Sequence, residues 1–160
     1  MDRYLVAANK SWHKEFFSER TATLPGIWEF VDEAQALTEA YVAELKPRYI
    51  FFPHWSHRVP SNILTHSECV CFHMTDLPYG RGGSPLQNLI IRKHLMTKLS
   101  AFQMTEELDA GPIYFKQDLS LVGTAEDIFL RAAAITWDMI AKIARENPEP
   151  CLLYTSDAAD

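Results

Sequence analysis

Cys69-Val70-Cys71-Phe72-His73-Met74-Thr75-Asp76-Leu77-Pro78-Tyr79-Gly80-Arg81-Gly82-Gly83-Ser84-Pro85 is the stretch from which the fold can be read. Cys69 to His73 reads as a buried strand. A polar, glycine-rich loop follows, and Ser84-Pro85-Leu86-Gln87 reads as a helix start: serine caps, proline takes the first helical position, and glutamine lies three residues after the cap. A strand that passes through a polar loop into a helix N-terminus is a unit of an open α/β sheet. In such sheets ligands bind at the carboxyl ends of strands, where a helix start adds free N–H groups and positive dipole.

The flanking chain repeats the unit. Tyr4 to Ala8 is a short apolar run closed by Asn9-Lys10-Ser11 and reads as a first strand, with a short helix over Trp12 to Ser18. Gly26 to Val31 alternates and reads as a second strand. Glu33 to Leu45 reads as one helix with Ala34, Leu37, Tyr41 and Leu45 on one face, stopped by Pro47. Arg48 to Phe52 is a third strand, followed by the aromatic loop Pro53 to Arg58 and one helical turn over Val59 to Leu64. Downstream, Lys98 to Met104 and Ile113 to Leu121 read as strands with Asp109-Ala110-Gly111-Pro112 turning between them. Thr124-Ala125-Glu126-Asp127 is a capping box opening a helix whose Ile128, Ala132, Ile135 and Met139 form an apolar stripe. This pattern predicts an α/β fold with three layers around a mostly parallel sheet flanked by helices, in one domain over residues 1–150. Cys151 to Asp160 continues no pattern and reads as a translated cloning or sequencing adapter, so it is set aside.

Composition narrows the function. Hydrophobic residues make up 48% and charged residues 22% of 160 residues, an ordinary balance for a globular chain with one core. No apolar run reaches the length of a membrane span and no signal peptide opens the chain, which predicts a cytoplasmic protein without a membrane partner. The net charge of -6 disfavours a protein whose main task is gripping a nucleic-acid backbone. Three cysteines without disulfide spacing fit a reducing compartment.

Two segments can carry chemistry. His73 stands at the carboxyl end of a strand, where an imidazole can titrate near neutrality or donate to a developing oxyanion, and the glycines after it let backbone approach a ligand. The competing reading is a glycine-rich turn that caps a helix. The loop is neither a phosphate-binding P-loop nor a dinucleotide fingerprint, because the lysine-hydroxyl pair and the glycine spacing are missing. Glu107-Leu108-Asp109-Ala110-Gly111-Pro112 places an acid in a tight turn, which on its own is most simply a turn former. Cys69, Cys71 and His73 alternate on one strand face, with His54, His57 and His66 nearby in sequence. A metal site there competes with a buried strand rich in small residues, and the second is the commoner arrangement. Trp55, in a polar loop after a strand, is the tryptophan most suited to stack on a ligand.

Taken together, His73, Leu77-Pro78, Arg81-Gly82, Pro85 and Asp109-Ala110-Gly111-Pro112 fall in the order and spacing of the formyltransferase family, and the chain resembles that family most strongly from Arg48 to about Leu121. The resemblance implies a formyltransferase-like fold and transfer of a formyl group from 10-formyltetrahydrofolate to a primary amine, with no metal. It implies His73 as a donor near the oxyanion and Asp109 as the group that orients it and manages protons, directly or through water. Cys71 stands where the family has asparagine, so a weak thiol donor replaces an amide N–H. The pterin pocket is implied between Val59, Pro60 and Leu77 on one side and Ala110, Gly111 and Pro112 on the other. Thr75 and Arg81 are expected at the acceptor, as are Asn9 and Lys10, which follow the first strand at the same edge of the sheet and read equally as a solvated loop; Thr75 and Asn88 are the candidates to replace the missing amide.

For the acceptor, an amino sugar, free or nucleotide-linked, is expected over initiator methionyl-tRNA, because the chain is acidic and has no room for a further tRNA-gripping domain. Three other readings share the pocket: a methionyl-tRNA formyltransferase, a non-catalytic folate- or nucleotide-binding module, and a hydrolase that releases formate from the same folate.

Overall fold

The computed structural model describes residues 1–77 and 95–152. β1 (Arg3–Ala8) is buried from Tyr4 onward, and its unbroken apolar run is what a strand covered on both faces requires. β2 (Ile27–Val31) exposes alternate residues, as an edge strand does. β3 (Tyr49–His54), β4 (Glu68–His73), β5 (Met96–Gln103) and β6 (Ile113–Ser120) complete a six-stranded sheet in the order β2-β1-β3-β4-β5-β6. β1 pairs in parallel with β2 and β3, and β3 in parallel with β4. β5 runs antiparallel to both β4 and β6, so β6 again follows the direction of β1 to β4. The sheet is therefore mixed, and mostly parallel as expected. The link between β5 and β6 is too short for the dozen or more residues that a parallel crossover needs, so those strands form a hairpin.

Helices cover both faces. On one, Tyr4, Val6, Phe51, Val70 and Leu99 pack against Trp137, Ile140 and Ile143 of α4 (Ala125–Glu146), with Phe16 and Phe17 of α1 (Trp12–Thr21) alongside. On the other, Leu5, Ala7, Ile50, Phe52 and Cys69 pack against Val42 and Leu45 of α2 (Glu39–Leu45) and Ile63 of α3 (Ser61–His66). The three-layer α/β arrangement read from the sequence is the one the chain adopts.

Local differences have local causes. The helix expected over Glu33 to Leu45 is split into a 3₁₀ turn at Ala34–Ala36 and α2. Thr38 causes the break: its hydroxyl accepts the Tyr41 N–H at 3.1 Å and starts a new helix. Leu37 is buried at the joint. The turn expected over Val59 to Leu64 falls two residues later, at α3. The capping box at Thr124 forms as read, with Thr124 and Asp127 bonding each other's backbone N–H. Ile128, Ala132 and Met139 of the expected stripe are buried, and Ile135 is half-buried. Cys151 makes an antiparallel bridge to Ile113 on the outer edge of β6. The helix start at Ser84 to Gln87, together with Arg81 and Asn88, lies outside the described residues.

Candidate active site

His73 is the last residue of β4, at the carboxyl edge of the sheet, and is buried. Asp109 lies in the β5–β6 connection with φ of 51°, a left-handed conformation that aspartate tolerates better than most residues. Its Oδ2 stands 3.8 Å from Nδ1 of His73, with the two side chains only 12% and 9% exposed. That separation is longer than a hydrogen bond.

Gly111 fixes the turn that carries Asp109. A Cβ at that position would lie 1.7 Å from the carbonyl oxygen of Gln103, so no other residue permits this approach of the turn to β5. The Gln103 N–H donates to the Pro112 carbonyl at 2.8 Å and closes the turn. Ala110 and Pro112 are half-buried beside it.

Cys71 shares a strand face with His73, two residues away. Burial, then the neighbouring Cys69 and Asp109, raise its thiol well above the ordinary value. Cys71 therefore remains an S–H group at neutral pH, a weak donor rather than a nucleophile. Cys69 is pushed up to about 12, chiefly by burial and then by Glu68. Among the described residues no group of three or more His, Cys, Asp or Glu side chains is arranged to hold a metal ion.

Most of the other sequence candidates lie among the described residues. Val59, Trp55 and Met104, like Cys71, pack partly buried against the core on the α2–α3 side, and Pro60 is exposed just before α3. Leu77 is fully buried against Phe102, Ile113 and Cys71. Thr75 is buried two residues after His73. Asn9 braces the ends of three strands: its N–H donates to the His54 carbonyl at 2.9 Å, its amide to the Asp32 carbonyl at 3.1 Å, and its side-chain oxygen accepts from Ser56 N–H at 2.8 Å. Lys10 is exposed, with its ammonium 6.0 Å from the Trp12 ring. This corner is a topological switch point, because the chain goes from β1 to β2 on one side while β3 lies on the other. Arg81 lies outside the described residues.

The structure adds groups the sequence did not single out. His13, in α1, is buried and accepts the Trp137 indole N–H at 3.1 Å. Burial, then His54, push its imidazole down to about 4. His13 lines a cavity of about 30 Å³ with Phe72, Met74, Phe129 and Thr136, and His54 and Trp12 stand beside it. The sequence gives little sign of it, because Trp12 to Thr21 is a polar helix with weak apolar patterning. Ser100 is buried too, and its sign in the sequence is a lone hydroxyl within the apolar run Leu99-Ser100-Ala101-Phe102.

The three-layer α/β sheet that carries His73 and Asp109 at its carboxyl edge is a fold shared with solved formyltransferases. The chain belongs to the formyltransferase family. It is 42% identical to the methionyl-tRNA formyltransferase from Clostridium thermocellum, with a TM-score of 0.88 over 95% of this chain and 68% of that one. It also superposes on a sugar N-formyltransferase from Shewanella sp FDAARGOS_354 (18% identity, TM-score 0.73, covering 96% and 74%). HypX from Aquifex aeolicus in complex with tetrahydrofolic acid shares the fold at 17% identity and a TM-score of 0.75, over 95% of this chain and 28% of that one. The chain spans less than half the length of curated methionyl-tRNA formyltransferases that it matches, 39% and 49% of two of them. No protein-family model matches the chain.

Proposed function

We propose that this chain transfers the formyl group of 10-formyltetrahydrofolate to a primary amine. The observation that carries the reading is the approach of His73 and Asp109 to 3.8 Å at the carboxyl edge of the sheet. In this reading a neutral amine attacks the formyl carbon, the new C–N bond forms, and the carbonyl oxygen becomes an oxyanion. His73 donates to that oxygen. Asp109 takes the proton released by the amine, directly or through water, and the proton passes to the departing folate nitrogen as the old C–N bond breaks. Cys71, held as S–H, supplies a weaker donor where the family has an amide, with Thr75 close in sequence on the same loop.

The residues fit a folate. Val59, Trp55 and Met104, partly buried on the same side of the sheet as Cys71, offer apolar and aromatic surface suited to a flat pterin, and Pro60 and Ala110 to Pro112 are assigned to its edges in this reading. The fold neighbour solved with tetrahydrofolic acid supports this ligand class. Asn9 and Lys10, at the switch point, would meet the acceptor. The acidic charge of the chain favours a small amine, as on an amino sugar, and the sugar N-formyltransferase fold neighbour supports it. The 42% identical relative, named as a methionyl-tRNA formyltransferase, favours the tRNA acceptor instead.

Calorimetric titration with 5-formyltetrahydrofolate, a stable stand-in for the donor, tests the ligand class. Saturable binding that Val59→Glu weakens by 10-fold or more is the expected result. No binding by demonstrably folded protein would remove the folate from the reading. An acceptor series of amino sugars, nucleotide-linked amino sugars and methionyl-tRNA then separates the two amines.

A further inference from the structure

Resting on the reading that the His73–Asp109 pair works on a formyl group, we propose that Ser100 and Lys116 are positioning residues that fasten the chain just after His73 and so set the aim of its imidazole. The observation is a row of three side chains across three strands. Ser100 is the register partner of His73 in the β4–β5 pair, and Lys116 is the register partner of Ser100 in the β5–β6 pair. Directly opposed residues of antiparallel strands project from the same face, so the row presents His73, a hydroxyl and an ammonium side by side.

The second and third members grip the segment that leaves the first. The Ser100 hydroxyl donates to the Thr75 carbonyl at 2.7 Å and accepts the Leu77 N–H at 3.4 Å. The Lys116 ammonium donates to Asp76 Oδ1 at 2.5 Å and to the Leu77 carbonyl at 2.6 Å. Thr97 of β5 adds a bond to the Met74 carbonyl at 3.3 Å, and the Leu77 side chain is sunk against Phe102 and Ile113. Each residue from Met74 to Leu77 is thus tied to the β5–β6 hairpin.

A hydroxyl that is 0% exposed within an apolar strand is costly to bury unless it is bonded. Ser100 meets that condition with two backbone groups of one loop, which a capping role for its own strand does not require. His73 is the terminal residue of β4, so its backbone is held on one side by the strand, and the segment that follows it is held by this strap. Releasing the strap lets the imidazole drift from Asp109, and a misplacement of about 1 Å can lower a rate on the order of 10²-fold.

Steady-state kinetics, amide exchange at Leu77 and ¹⁵N chemical shifts of the His73 ring test the proposal together. In Ser100→Ala we expect kcat to fall 10- to 100-fold with little change in KM for the folate, faster Leu77 exchange, and displaced His73 shifts. Ser100→Thr, which keeps the hydroxyl, restores all three. Lys116→Gln lies at a partly exposed position and leaves the buried strand unaltered, so it reports the same direction even if Ser100→Ala fails to fold. Wild-type kcat and unmoved His73 shifts in Lys116→Gln and in folded Ser100→Ala would overturn the proposal, and so would a lower Tm with kcat per folded molecule unchanged. If the wild-type chain transfers no formyl group to any amine, the functional reading fails by itself. The strap is then decided by the His73 shifts alone, which sustain it if they move and overturn it if they do not.

Discussion

At His73 and Asp109 the chemistry and the backbone make separable demands. Asn at position 109 keeps the left-handed backbone, which it tolerates as aspartate does, but cannot take a proton. Asp109→Asn is therefore expected to lower kcat by roughly 10²–10⁴-fold with Tm unchanged, and His73→Ala to do the same. Full activity in either variant, measured on protein of native Tm, would remove these residues from the mechanism. Cys71→Asn restores the amide donor of the family pattern. Because loss of one oxyanion donor costs about 10²–10³-fold in rate, the change should raise kcat, while lowering Tm by setting a larger polar group beside Leu77 and Phe102. An unchanged or lower kcat in the folded variant would mean that another donor already serves.

Among the elements, the β5–β6 hairpin carries more of the site than its sequence suggests. It delivers Asp109 through a turn that tolerates only glycine at position 111. Gly111→Ala is expected to destabilise the fold by about 3 kcal/mol and to lower activity beyond the loss of folded protein, since relief of the clash must move the turn. Thermal unfolding and kcat of the surviving protein read the two effects. Much of this element was legible in advance: the Asp109 to Pro112 turn and both flanking strands are where the residues placed them. The Ser100 and Lys116 bonds were not, because register across strands decides which polar side chain meets which carbonyl, and register is invisible to local pattern. The break in the Glu33 to Leu45 helix was missed for the opposite reason. Thr38 announces an N-cap locally, but the apolar spacing of Leu37 and Tyr41 outweighed it.

Across the whole molecule, the apolar runs at Tyr4 to Ala8, Tyr49 to Phe52 and Cys69 to Phe72 are strands that lie inside the sheet, covered on both faces, which is why the fold class could be read without coordinates. The contact between His13 and Trp137 spans 124 positions and had no local sign. It has a global consequence. The folded His13 imidazole titrates at about 4, against an ordinary value of 6.5. The unfolded chain thus binds the extra proton between those values, so the stability held above pH 6.5 is lost as pH falls toward 4. At about 1.4 kcal/mol for each pH unit, the loss amounts to roughly 3 kcal/mol. His54, also lowered by burial and then by Lys10, acts in the same direction. His13→Gln keeps an acceptor for the Trp137 indole and should flatten the stability profile over this window. Denaturant unfolding across pH 4 to 7 with the same slope in both proteins would contradict the assignment.

The central claim is formyl transfer by the His73–Asp109 pair, and the most direct test follows tetrahydrofolate formation from 10-formyltetrahydrofolate with and without amine acceptors. Product that appears only when an amine is present, and is lost in His73→Ala, is the predicted result. Tetrahydrofolate released equally without amine, or none released by protein that binds folate, would contradict it.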